Sequence, residues 1–270
     1  MKFSCNQQIL SKALNTVSKA VTIRTTIPIL KGILLKATED GKLILAASDL
    51  DLSIEKNIDV NVEKEGSVVV LAKLFGDIIR KLPNEEIFFE LQDNGNVMIK
   101  TSQSEFRIIG LPAEEFPNIG EVEDVTNQLS FNKDLFKEMI RKTAFCASID
   151  ESKGVIVGVL LEMEERKVNM VALDGFRMAV TREDMVNKEE GKVIIPAKIL
   201  NEIHKILSEN EKEEEVNIVL SNKKAVLLLE RTKIVIRLLE GEFIKYKDII
   251  PKENPIKIIV TRDEMVEAIE

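Results

Sequence analysis

The sequence predicts an α+β fold in which one domain occurs twice. Three observations predict it. Segments about 126 residues apart match in order: 29–35 with 155–161, Ala47-Ser48-Asp49 with Ala172-Leu173-Asp174, 68–75 with 193–200, and Glu115-Phe116 with Glu242-Phe243. A period of that length is a whole domain, not a solenoid unit. Each copy reads as many short strands and only two helices, which implies antiparallel sheets covered on one side by a helix pair. Apolar residues make up 44% and aromatics only 4%, with no Trp and one Tyr, so the expected cores are aliphatic.

The elements follow in order. In the first copy Asn6 is a helix N-cap, and Ile9, Leu10, Ala13, Leu14 and Val17 follow at helical spacing. Strands are expected at 29–37, 42–47, 50–62 and 67–71. A helix over 72–82 stops at Pro83. Strands at 87–92, 97–101 and 105–111 close the copy, the first two joined by the hairpin sequence Asp93-Asn94-Gly95-Asn96. The second copy repeats the order, with helices over 133–144, capped by Asn132, and 197–208, preceded by Pro196. Acidic linker composition marks 118–127, a second linker spans 251–255, and the acidic run 209–215 reads as a solvated loop. The expected domains are 1–119 and 128–250, with 256–270 opening a third copy, because Val260-Thr261-Arg262-Asp263 echoes Phe131-Asn132-Lys133-Asp134.

Several chemistries find no support. Cys5 and Cys146 sit in apolar patterns and read as buried thiols in a reducing, cytoplasmic compartment. No signal-peptide pattern opens the chain, and no apolar run approaches a membrane span. The single histidine, His204, lies on a helix, and no His/Cys cluster has metal spacing. No phosphate-binding glycine motif or nucleophile elbow occurs. Asp49 and Asp174 recur at equivalent places, but each ends a strand, so they read as turn acceptors rather than a catalytic pair. No catalytic residue, metal site or cofactor is therefore expected.

Charge is unevenly placed. The chain carries −8, yet its four helical stretches together carry +7, through Lys12, Lys19, Lys73, Arg80, Lys81, Lys133, Lys137, Arg141, Lys142, Lys198 and Lys205. The remainder then holds −15. Helices lining one surface would offer it to a polyanion through phosphate contacts, without sequence readout.

The chain resembles the bacterial DNA polymerase III β subunit family, the sliding clamps. The resemblance rests on Thr26-Ile27-Pro28-Ile29-Leu30, Ser48-Asp49-Leu50-Asp51, Gly110-Leu111-Pro112-Ala113-Glu114-Glu115-Phe116-Pro117, 172–180, 193–198 and Gly241-Glu242-Phe243, in order and spacing across the whole chain. One departure is Phe243-Ile244-Lys245-Tyr246, where the family commonly has proline after the phenylalanine.

The resemblance implies a clamp fold with sheets outside and helices inside. It also implies a non-catalytic role: a processivity factor whose full-length homodimer encircles duplex DNA non-specifically. The implied partners are the polymerase III alpha subunit, the clamp loader and other clamp-binding peptides. By the same resemblance Arg24 contacts DNA. Ile156, Leu173, Gly175, Phe176, Arg177, Met178 and Ile249 form a pocket for partner peptides, and Leu74, Ile78, Phe106 and Ile108 lie at the dimer interface. The family carries a third domain, which supplies the rest of the pocket and of the ring contact. An alternative reading is a peptide-binding module of the replication machinery that does not itself encircle DNA.

Overall fold

The structure is a computed structural model that describes residues 1–120, 123–187, 189–209 and 214–270. Parts of the expected linker 118–127 and of the acidic run 209–215 lie outside the described residues. The chain forms two compact units, Met1–Glu240 and Gly241–Glu270.

The first unit contains copy one and copy two as far as Glu240. Copy one runs β1 (Lys2–Asn6), α1 (Gln7–Val17), β2 (Gly32–Thr38), β3 (Lys42–Ser48), β4 (Leu52–Asp59), β5 (Asn61–Lys64), β6 (Gly66–Leu71), α2 (Ala72–Lys81), β7 (Glu86–Leu91), β8 (Asn96–Lys100) and β9 (Glu105–Leu111). Copy two runs β10 (Asn127–Asn132), α3 (Lys133–Thr143), β11 (Gly158–Glu164), β12 (Lys167–Leu173), β13 (Met178–Asp184), β14 (Gly191–Pro196), α4 (Ala197–Glu209), β15 (Glu215–Leu220), β16 (Lys224–Leu229) and β17 (Thr232–Arg237).

Both expected caps form. The Asn6 side chain accepts from the Gln8 amide at 2.9 Å, and Asn132 accepts from Asp134 and Leu135 at 3.0 and 3.2 Å. Each bond satisfies amides that a helix start leaves orphaned. The hairpin after β7 turns through Gly95 at φ 79°, where only glycine rests without penalty.

Three strand expectations need correction. Residues 28–31 form a 3-10 turn before β2, because Pro28 supplies no amide to a ladder. The run 50–62 breaks into β4 and β5 at Val60, whose amide turns aside to the Gly41 carbonyl. β1 and β10 fall where no strand is expected, and each pairs along its full length with a distant strand.

The strands make a sheet of order β10-β15-β16-β17-β4-β3-β2-β6-β9-β8-β7-β1-β5 and a second of order β13-β12-β11-β14, with antiparallel pairing throughout. The two copies meet where β17 pairs with β4, Ile234 opposite Ile54 and Ile236 opposite Leu52, all four buried. One continuous core under the helices joins the copies. It is less aliphatic than composition implies. Phe3, Phe75, Phe89, Phe131 and Phe136 are all fully buried, with Phe3 stacked on Phe89 at 4.7 Å and Phe75 edge-on to Phe89 at 6.0 Å. Few aromatics occur, and the largest are spent at the centre, where each fills the most volume.

The second unit holds two short helices, α5 (Tyr246–Ile249) and α6 (Arg262–Ile269), and residues 251–270 are exposed throughout.

Candidate nucleic-acid interface and partner surfaces

The helices pack pairwise in each copy, α1 with α2 and α3 with α4, and turn charged faces outward. Their cations divide into two groups. Lys12, Lys73, Lys81 and Lys198, together with Arg24 in the loop that follows α1, are exposed and, among the described residues, have no ion-pair partner. The others, Lys133 apart, are held by acids. Arg80 pairs with Asp77, Lys137 with Asp134 at 3.5 Å, and Lys205 with Glu202 at 2.8 Å. Arg141 and Lys142 share Glu138, at 2.6 and 3.5 Å. The Arg141 hydrogen bond, then the attraction of both cations, holds the Glu138 carboxyl down at about 2. Lys133 is half-buried in the first turn of α3.

Two corrections follow for the charge count. Lys19 is not on a helix face but in the 3-10 turn after α1. It is mostly buried and reaches Glu209 of the other copy at 3.0 Å. Helix α4 extends to include that glutamate. The pair ties the copies together on the helix side, as β17–β4 does on the sheet side.

His204 faces α3. Burial first, then the nearby Lys137 and Arg141, push its imidazole below the usual range, so it stays neutral at physiological pH. Among the described residues no acid, His or Cys cluster could hold a metal ion. Both cysteines are free and buried.

The expected peptide-site residues of the first unit gather partly at one turn. Leu173 ends β12, Met178 begins β13 opposite it, and Gly175 at φ 97° makes the reversal. The Asp174 carboxylate closes the turn, accepting from the Phe176 amide at 2.9 Å, the Arg177 amide at 3.0 Å and the Arg177 Nε at 2.9 Å. Those two amides, more than the guanidinium, hold its carboxyl at about 2. Phe176 is 95% exposed as a result of this turn, whereas Leu173 is buried. Ile156 is half-buried in the 3-10 segment leading into β11. Ile249 is exposed on α5 of the second unit.

Asp49 plays the same part in copy one, accepting from Asp51 and Leu52 at 3.1 and 2.7 Å. Both recurring aspartates therefore serve as turn acceptors. Sequence reading missed two further residues. Phe145, 60% exposed after α3, lies under the Arg177 guanidinium at 5.7 Å. Glu209 went unpaired in the charge count.

The expected interface residues lie at an open edge. Over Glu105–Ile109, β9 pairs only with β8, and β6 engages it only at Gly110 and Leu111. The bond from the Gly110 amide to Gly95 repeats as Leu238 to Lys223, so Phe106 and Ile108 correspond to Ile234 and Ile236 of the internal junction. Phe106 is 38% exposed while Ile234 is fully buried. On the helix side, Leu74 is 46% exposed, whereas its counterpart Ile199 is 7% exposed. Ile78 is half-buried against the core, and Ile108 is itself buried.

Comparison with known proteins adds the following. Residues 1–120 match the family described as DNA polymerase III beta subunit, N-terminal domain, and residues 130–245 match its central domain. The chain is 35% identical to the beta sliding clamp of Halalkalibacterium halodurans, over all of this chain and 73% of that protein. It is 33% identical to the clamp of Bacillus subtilis with the same coverage. Among solved structures, the DNA polymerase sliding clamp from Bacillus subtilis aligns with a TM-score of 0.94 at 32% identity, over 100% of this chain and 72% of that one. The sliding clamp from Bartonella birtlesii bound to griselimycin aligns at 0.92 and 30% identity, over 100% of this chain and 73% of that one.

Proposed function

The chain belongs to the DNA polymerase III beta subunit family, and from that membership we propose that it works as a DNA sliding clamp. It encircles duplex DNA and tethers the replicative polymerase and other replication and repair proteins. The role is mechanical: a non-catalytic subunit that keeps a polymerase on its template.

One observation carries the ring. The β17–β4 junction is a complete example of how two such domains join: a sheet continues across, Ile234 and Ile236 are sealed, and Lys19 meets Glu209 on the helix side. The β9 edge repeats one half of that junction without a partner, and β13, the counterpart of β4, is an edge of its own sheet. Continuing the same contact head to tail would cover Leu74, Ile78, Phe106 and Ile108 and would add domains until the ring closes. The third domain of the family fills the intervening place, and the full-length form closes as a homodimer.

The helix faces then meet DNA. Lys12, Arg24, Lys73, Lys81 and Lys198 are the readiest phosphate contacts. Lys19, Arg80, Lys133, Lys137, Arg141, Lys142 and Lys205 follow once their local partners yield. Contact of this kind is non-specific and weak, and topology rather than affinity retains the clamp. Peptides of the polymerase alpha subunit, the clamp loader and other partners dock on Phe176, Ile156, Leu173, Gly175, Arg177 and Met178, with Ile249 assigned by family resemblance alone. Griselimycin, bound by related clamps, is expected to bind here as well. No finding favours a peptide module that never encircles DNA.

The test is a full-length clamp with residues 1–270 as its first two domains, loaded on nicked circular DNA. It should stay on the circle and be lost when the circle is linearised. Equal retention on both forms would refute the topological mechanism.

A further inference from the structure

This inference rests on the peptide-site reading above. The Asp174 turn is joined to the 3-10 turn that follows helix α3 by one side chain. Arg177 donates from Nε to Asp174 Oδ2 at 2.9 Å and from Nη2 to the Phe145 carbonyl at 3.3 Å, and its guanidinium lies over the Phe145 ring at 5.7 Å. An exposed arginine normally samples many rotamers, but here carboxylate, carbonyl and ring face fix it from three sides. Copy one has the same aspartate turn with Leu52 in the place of Arg177, so the turn itself needs no arginine. The added network belongs to the copy that carries the exposed Phe176.

From this arrangement we infer that Asp174 is a positioning residue for partner-peptide binding. Its Oδ1 holds the Phe176 and Arg177 amides, so that Phe176 projects from the surface. Its Oδ2 holds the Arg177 guanidinium on Phe145, which extends the apolar surface beside Phe176 and presents the remaining guanidinium N–H groups beside it. A peptide with an apolar anchor and an acceptor next to it fits that surface. Preorganisation of this kind raises affinity by removing the cost of ordering Phe176 and Arg177 on binding.

The experiment measures griselimycin binding by calorimetry to the full-length clamp with residues 1–270 as its N-terminal part, as wild type, Asp174→Ala, Asp174→Asn and Phe176→Ala. Hydrogen–deuterium exchange over 172–180 and thermal melting are recorded alongside. Asp174→Ala should weaken binding about tenfold and speed exchange at Phe176 and Arg177. Asp174→Asn still accepts from both amides but loses the charged hold on Arg177. It should keep exchange near wild type and weaken binding about threefold. Should Asp174→Ala fail to fold, the asparagine variant decides. Wild-type affinity in the aspartate variants, with Phe176→Ala impaired, would overturn the positioning role and leave the peptide site standing. Wild-type affinity in Phe176→Ala, or no binding by wild type, would overturn the site itself and the inference with it.

Discussion

Gly175→Ala isolates the conformational demand of the turn. Gly175 sits at φ 97°, and a Cβ built there meets nothing within 4 Å. Steric collision therefore contributes nothing to the cost. What remains is the penalty for holding an L-residue at positive φ, about 1–2 kcal/mol, reduced somewhat because alanine loses less entropy on folding than glycine. Copy one supplies an internal control, because Leu50 occupies the equivalent place at φ 79° and already bears that penalty. Leu50 is 56% exposed, so Leu50→Gly forfeits part of its burial, about 1 kcal/mol, and adds chain entropy to the unfolded state. Relief of the backbone should offset both, leaving Leu50→Gly close to neutral. Thermal melting with a parallel urea titration reads the pair. A net loss of about 1 kcal/mol in Gly175→Ala should lower the midpoint by roughly 2–4 °C. An unchanged midpoint in Gly175→Ala would refute the reasoning. So would a Leu50→Gly variant that loses the roughly 2 kcal/mol expected of an unstrained, half-buried leucine.

Three further outcomes follow from the same structure. Glu138→Gln releases Arg141 and Lys142, so anisotropy titration with duplex DNA should show tighter binding and a salt slope steeper by about one. The Asp174 carboxyl is held at about 2 against an ordinary 3.8. A depressed folded value means its contribution is present above pH 3.8 and is lost as pH falls towards 2, so amide protection at Phe176 should hold at pH 5 and fail only in that acid window. Burial, then the charge of Glu86, pushes the Cys5 thiol up to about 12, so iodoacetamide at pH 8 should label it only after unfolding, as mass spectrometry would detect.

Local chemistry made much of the fold legible. Asn6 and Asn132 announce their helices because a cap is a short-range bond, and Asn94-Gly95 announces its hairpin because few residues tolerate that backbone. The repeat is legible because core positions recur in order. Long-range pairings carry no such mark. Nothing near Lys2–Asn6 reveals that β1 lies between β5 and β7, and nothing in Thr232–Arg237 names β4 as its neighbour. The site divides in the same way. The turn at Asp174 could be read from Asp-Gly, and the i,i+3 spacing of Asp77 with Arg80 or Glu138 with Arg141 already implied that the basic faces carry their own acids. The fate of Lys19 could not be read, because its partner lies 190 residues away.

The open strand edges carry a hazard as well as an opportunity. A bare row of amides and carbonyls accepts almost any strand, including one from another copy in the wrong register. β9 answers with charge: Glu105 sits between Lys100 and Arg107, at 3.1 and 2.8 Å, so a strand sliding past meets alternating signs rather than a smooth apolar strip. β13 does the same with Arg182, Glu183 and Asp184 towards its far end. Each edge thus discourages promiscuous strand pairing, because a strand added in the wrong register sets like charges opposite one another.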